Sequence, residues 1–213
     1  MSDPSEKKRL SKRSLYVLLD GRSSEPEFKR TAIELIDAGV EILQLRDKRL
    51  SDRKLLQRAR QLRDLTENTD ILFIMNDRPD LAVLADADGV HLGQDELSVE
   101  DGRAIVGPAR LVGVSTHSLD QARCAESEGA DYIGVGPVFP SLTKTFDEHP
   151  GVDLLRRVAA RVSIPMFAIG GICHENLSQV QAAGFTRVAV SNAILDASSP
   201  RDAAIAMLSA LQN

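Results

Sequence analysis

Gln44, Arg46 and Lys48 stand at alternate positions of the segment Gln44-Leu45-Arg46-Asp47-Lys48. On an extended chain alternate side chains point the same way, so an amide and two cations share one face. That face suits a phosphate-rich ligand, although a solvated charged loop has the same residues. Asn76-Asp77-Arg78-Pro79 supplies a carboxylate able to bind a hard cation and an amide able to meet a ligand oxygen. The alternative is that Asp77 caps a helix opening around Pro79. In His91-Leu92-Gly93-Gln94-Asp95-Glu96 two adjacent carboxylates follow a turn glycine. They read either as a metal contact or as charges complementing the dipole of a following helix. His91 reads as a hydrogen-bonded strand histidine. Ser115, Thr116 and His117 offer polar groups with no base and acid arranged around a nucleophile, which leaves ligand hydrogen bonding. Ser141, Leu142, Thr143 and Lys144 place two hydroxyls and a cation together. Gly170-Gly171 and Val190-Ser191-Asn192 form a further pair: glycines let backbone N–H groups approach an anion, and a helix start adds a favourable dipole.

Those groups need a scaffold that gathers them, and the hydrophobic pattern predicts one. Short apolar runs at residues 15–19, 40–45, 71–75, 89–92, 111–114, 132–135, 166–169 and 187–190 alternate with amphipathic segments such as 28–37, 52–66, 119–128, 152–161 and 174–183. The runs are continuous, not alternating, as in strands buried on both faces. Intervening helices imply parallel crossovers. Eight such units predict a single closed (β/α)8 TIM barrel of the α/β class over residues 14–213, preceded by a flexible basic arm at 1–13. An open doubly wound sheet is the alternative, but no Gly-rich turn follows the first strand. In the barrel every candidate above falls just beyond a strand, around one shared mouth. Two anion sites then face that one mouth: the ends of strands seven and eight, and the cluster of Arg46, Lys48 and Lys144 beside Asp77. Two phosphorylated substrates, one needing metal, explain that layout. The long connection at 136–151 reads as a lid or binding loop.

The totals agree. Hydrophobic residues make up 43% of the 213, enough for a sizeable core, and aromatics only 4% with no Trp, so that core is aliphatic. A formal charge of −5, from Lys+Arg 26 against Asp+Glu 31, argues against a nucleic-acid partner. No apolar run spans a membrane and residues 1–13 lack a signal core, so a cytoplasmic protein is expected, with Cys124 and Cys173 as buried reduced thiols.

The series Gln44-x-Arg46-x-Lys48, Asn76-Asp77, Ala87-Asp88-Gly89-Val90-His91-Leu92-Gly93-Gln94, Gly113-Val114-Ser115-x-His117, Gly136-Pro137-x-Phe139-Pro140-x-x-Thr143-Lys144 and Ala168-Ile169-Gly170-Gly171-Ile172 resembles the thiamine-phosphate synthase family in order and spacing. The resemblance runs from about Ser14 to the C-terminus. It implies a transferase that joins a pyrimidine pyrophosphate to a thiazole phosphate with Mg²⁺ and releases pyrophosphate. The stretch Gln44, Leu45, Arg46, Asp47 and Lys48, with Asn76, Ser115 and Lys144, would hold the pyrimidine substrate. Arg46, Lys48 and Lys144 would stabilise the leaving group. Asp77 would ligate Mg²⁺ together with the carboxylate after Gly93-Gln94, where Glu96 fits by position. Ser141, Leu142 and Thr143, Gly171, Ser191 and Asn192 would hold the thiazole phosphate. Two departures from the family pattern stand out: Glu96 occupies a position usually held by Asp, with Asp95 before it, and Ser141 one usually held by Thr. The other readings are a thiazole tautomerase-like barrel and a non-catalytic barrel binding thiamine precursors; self-association into a homo-oligomer is left open.

Overall fold

The computed structural model describes residues 8–22, 24–140 and 151–212. Eight strands close into a barrel in chain order: β1 (Leu15–Leu19), β2 (Ile42–Leu45), β3 (Leu72–Asn76), β4 (Gly89–Leu92), β5 (Leu111–Thr116), β6 (Tyr132–Val135), β7 (Met166–Ile169) and β8 (Val188–Val190). Each pairs in parallel with its neighbours, and β8 returns to β1 through Leu15–Val188 and Tyr16–Ala189. The outer layer is α1 (Glu25–Asp37), α2 (Asp52–Thr66), α3 (Pro79–Leu84), α4 (Val99–Val106), α5 (Leu119–Ser127), α6 (Gly151–Ala159), α7 (Leu177–Ala182), α8 (Asn192–Leu195) and α9 (Pro200–Leu211). Serines start several of these helices: Ser24, Ser98, Ser118 and Ser199 each accept a hydrogen bond from a first-turn N–H. The single (β/α)8 barrel is therefore the fold.

Each strand is buried on both faces, which accounts for its continuous apolar character. Leu15, Val17, Leu43, Leu45, Phe73 and Met75 face outward into the core beneath the helices. Tyr16, Ile42, Leu72, Ile74, Leu111, Tyr132, Phe167 and Ala189 face inward and fill the barrel. At the barrel base a carboxylate precedes β2, β4 and β6. Glu41 accepts from the Ser14 and Leu15 N–H groups at 2.6 and 2.9 Å, Asp88 from Phe73 at 2.7 Å and Asp131 from Val112 at 2.8 Å. These bonds satisfy donors at strand starts that the ladder leaves over.

Three expectations shift. β2 starts at Ile42, not at residue 40, because the Val40 N–H closes the end of α1 on Leu35 O. The segment 174–183 is a 3₁₀ turn, His174–Asn176, followed by α7. The arm expected over 1–13 docks in its described part. Residues 8–10 form a helical turn, Leu10 is fully buried under the barrel, and Arg9 and Arg13 pair with Asp70 at 3.5 and 2.6 Å. A closed barrel has an apolar base that must be covered, and Leu10 covers it. Residues 1–7 lie outside the described residues.

Candidate active site

The C-terminal ends of the strands surround a cavity that takes in most of the residues singled out from the sequence. Gln44, Arg46 and Lys48 line one side; the intervening Leu45 and Asp47 do not. Leu45 is fully buried against the helix layer. Asp47 turns back into its own loop, where its carboxylate accepts from the N–H groups of Gly21 (3.0 Å), Arg49 (2.7 Å) and Leu50 (3.1 Å) and pairs with the Arg49 guanidinium at 3.2 Å. Burial alone would raise this carboxyl, but the bonds from Arg49, Gly21 and Leu50 outweigh it and hold Asp47 below the usual carboxylate range. As side chains, then, Leu45 and Asp47 are corrected out of the binding face: the period-two alternation that points 44, 46 and 48 inward points them away. Asp47 braces the loop that presents Arg46 and Lys48. The Arg46 guanidinium has no carboxylate partner among the described residues.

Asp77 is not a helix cap. Arg78 holds the cap position of α3, and Asp77 sits in the left-handed region at φ 60°. Its N–H donates to His91 O at 2.8 Å, which fixes the turn and carries the carboxylate into the mouth. Asp77 Oδ2 lies 3.2 Å from Lys48 Nζ, and Glu96 Oε1 lies 3.7 Å from the same nitrogen. Glu96 is folded back over Gly93: a Cβ added there would sit 2.1 Å from Glu96 Oε2. Asp95 is exposed and does not line the cavity. Of the two adjacent carboxylates, the structure brings Glu96 beside Asp77. Two oxygen donors converging on one cation suit a divalent ion that takes one or two protein carboxylates and fills its shell with water and phosphate. No larger group of metal-ligating side chains occurs among the described residues.

Across the cavity, Gly170 and Gly171 take φ values of 100° and 63°. A side chain on Gly171 would meet Pro140 O at 2.4 Å, so only glycine fits this turn. Ser191 Oγ donates to Leu18 O at 3.0 Å, and Ser191 and Asn192 line the cavity where α8 begins. Asn76 and Ser115 also line it. Ser141, Leu142, Thr143 and Lys144 lie outside the described residues.

The sequence reading missed the cavity floor. The only two tyrosines of the chain, Tyr16 and Tyr132, are both buried there with their oxygens 3.1 Å apart. Gln44 Nε2 donates to Tyr16 Oη at 2.7 Å. His91 Nδ1 lies 3.2 Å from Tyr132 Oη and its Nε2 lies 2.9 Å from Ser115 Oγ. Burial raises both phenol pKa values, so both stay protonated. Gly113 makes the room, since a Cβ there would lie 2.1 Å from Tyr132 Cζ. The available signal was a phenol at an inward position of an otherwise aliphatic strand. The cysteines also differ from expectation: Cys124 is exposed and Cys173 half-buried, and both are free thiols.

Comparison with known proteins decides the family. The family model described as thiamine monophosphate synthase matches residues 15–194. The chain belongs to this family. Its relatives include a thiamine-phosphate synthase of Halalkalibacterium halodurans, 43% identical over 186 residues, covering 86% of this chain and 88% of that protein. A thiamine-phosphate synthase of Rhodopirellula baltica is 44% identical over 192 residues, 88% of this chain but 51% of its own length. The chain thus spans about half the length of several thiamine-phosphate synthases it matches. A solved thiamine phosphate pyrophosphorylase from Pyrococcus furiosus superimposes with a TM-score of 0.84 at 35% identity, covering 97% of each chain. Within the thiamine monophosphate synthase family, the matched region takes in every described cavity residue named above, and Lys8–Arg13 precede it.

Proposed function

We propose that the chain is a thiamine-phosphate synthase, joining an aminopyrimidine methyl pyrophosphate to a thiazole phosphate with release of pyrophosphate. The observation that carries this reading is the clustering of Arg46, Lys48, Asp77 and Glu96 on one side of a cavity whose other side is the Gly170-Gly171 turn and the start of α8. Such a cavity presents anion-binding groups on two opposite walls, one for each substrate. A thiazole tautomerase would not need the cation and carboxylate cluster. Asp77 and Glu96 would hold Mg²⁺, which, when bound, neutralises charge on the departing pyrophosphate. Arg46 and Lys48 stabilise the same developing charge, with Lys144 assigned to this role by the resemblance. The pyrimidine methylene–oxygen bond breaks, its electron pair leaves with pyrophosphate, and the thiazole nitrogen forms the new bond to carbon. No protein nucleophile is required. Gly171, Ser191 and Asn192, with the 141–143 segment, would seat the thiazole phosphate. Cytoplasmic location belongs to the same proposal and agrees with two free thiols. No helix among the described residues is long and apolar enough to cross a membrane.

The test is pyrophosphate release by the purified chain with Mg²⁺ and each substrate alone or both together. Release only with both is expected. Release from the pyrimidine substrate alone, or tautomerisation of a thiazole phosphate without pyrophosphate release, would overturn the reading.

A further inference from the structure

The donor inventory of the polar chain on the cavity floor assigns it a direction. Gln44 Nε2 donates to Tyr16 Oη, so the single phenolic proton of Tyr16 is available to Tyr132 Oη, 3.1 Å away. The proton of Tyr132 then passes to His91 Nδ1 at 3.2 Å, which requires that nitrogen to be bare. A neutral imidazole with a bare Nδ1 carries its proton on Nε2, and in that tautomer Nε2, 2.9 Å from Ser115 Oγ, is the donor to it. With its oxygen accepting from His91, Ser115 turns its own proton to the cavity. Gln94 Nε2 holds the Ser115 carbonyl at 2.7 Å, so the residue itself is anchored. At the other end, Gln44 is 2% exposed and its Oε1 has no partner among the described residues. A buried acceptor left over in this way calls for a donor from a ligand. The opposite polarity would have Ser115 donate into the protein and offer only an acceptor to a cavity whose cations select anions.

We propose that Tyr16, Tyr132 and His91 are positioning residues, a one-way hydrogen-bond relay from Gln44 to Ser115. The relay presets Gln44 Oε1 as an acceptor and Ser115 Oγ as a donor toward the pyrimidine substrate. This rests on the synthase reading for the identity of the substrate, and on the geometry alone for the polarity. A buried network satisfied at every internal link has one arrangement, and that rigidity lets the three residues of the cavity floor order Gln44 and Ser115.

Two measurements test it. Long-range ¹H–¹⁵N spectra of the wild-type chain, with the imidazole neutral and His91 assigned by its loss in His91→Gln, should show the proton on Nε2; a proton on Nδ1 overturns the relay. In steady-state assays Tyr132→Phe should lower kcat/KM for the pyrimidine substrate about tenfold, the effect of one hydrogen bond of about 1.4 kcal/mol, and leave KM for the thiazole phosphate unchanged. In a Ser115→Ala background the same change should have no further effect, because the group it orients is gone. An equal loss in both backgrounds, or a parallel rise in KM for both substrates, would show a merely structural role. If Tyr132→Phe does not fold, the wild-type tautomer decides alone. A wild-type chain that makes no product sinks the synthase reading, while its tautomer still judges the relay.

Discussion

At the scale of single residues, the proposed Mg²⁺ site depends on which carboxylate oxygens would hold the ion. Asp77 and Glu96 converge on Lys48 Nζ, whereas Asp95 does not line the cavity. We predict that Asp77→Asn and Glu96→Gln each raise the Mg²⁺ concentration needed for half-maximal turnover by about tenfold or more, one charged ligand contact being worth about 1.5–3 kcal/mol. Asp95→Asn should change it by less than about twofold. A strong effect at Asp95 with none at Glu96 would reverse the assignment. Asp47 acts by a different route. Its folded pKa is depressed, so it contributes stability above its unfolded pKa of about 4 and loses that contribution as pH falls through the lower folded value. Asp47→Asn should therefore cost about 1–3 kcal/mol at neutral pH, with the gap from wild type closing below about pH 4 in denaturant titrations. A gap independent of pH would show that the charge is not what matters.

At the scale of elements, β5 and β6 are built around one exchange of volume. Gly113 on β5 gives up its side chain to the ring of Tyr132 on β6, which lies against Phe167 with ring centroids 5.8 Å apart. Gly113→Ala would drive the ring from its place, and overpacking of this kind costs about 1–3 kcal/mol. For a domain of this size, Tm should fall by roughly 2–12 °C, at 2–4 °C per kcal/mol, and the Nε2 proton of His91 should lose its single tautomer. An unchanged Tm with an unchanged tautomer would show that β5 yields. In the sequence Gly113 was legible only as one residue of a family motif. Its reason lies in the parallel register, which sets Gly113 directly opposite Tyr132.

At the scale of the whole molecule, closure of the barrel creates an apolar base as well as a mouth. Leu10, fully buried, seals that base among Tyr16, Ile42, Leu72 and Leu111. Leu10→Ala should destabilise the chain by about 2–5 kcal/mol, measured by urea titration, as for other buried leucines, while activity survives below the melting transition. A cost under about 0.5 kcal/mol would restore the reading of residues 8–13 as a dispensable arm. The docking of Leu10 was not legible in the sequence for a physical reason: one leucine among Lys7, Lys8, Arg9, Lys12 and Arg13 carries too little local pattern to announce it. Arg9 and Arg13 beside it meet Asp70 and Asp88, which are distant in sequence.

Local pattern was enough for the fold. Continuous apolar runs such as Leu15–Leu19 and Tyr132–Val135, separated by helical periods, specify a parallel barrel, and strand-end position with period-two alternation put Gln44, Arg46 and Lys48 at its mouth. These properties belong to neighbouring residues, so they can be read along the chain. Only the tertiary structure decided the rest: the left-handed turn that frees Asp77 from capping, the choice of Glu96 over Asp95 beside it, and the meeting of Tyr16 with Tyr132 across 116 positions. Those depend on the register at which eight strands close. Side chains that face inward at compatible heights become partners through that closure, and nothing in either local segment encodes the height of the other.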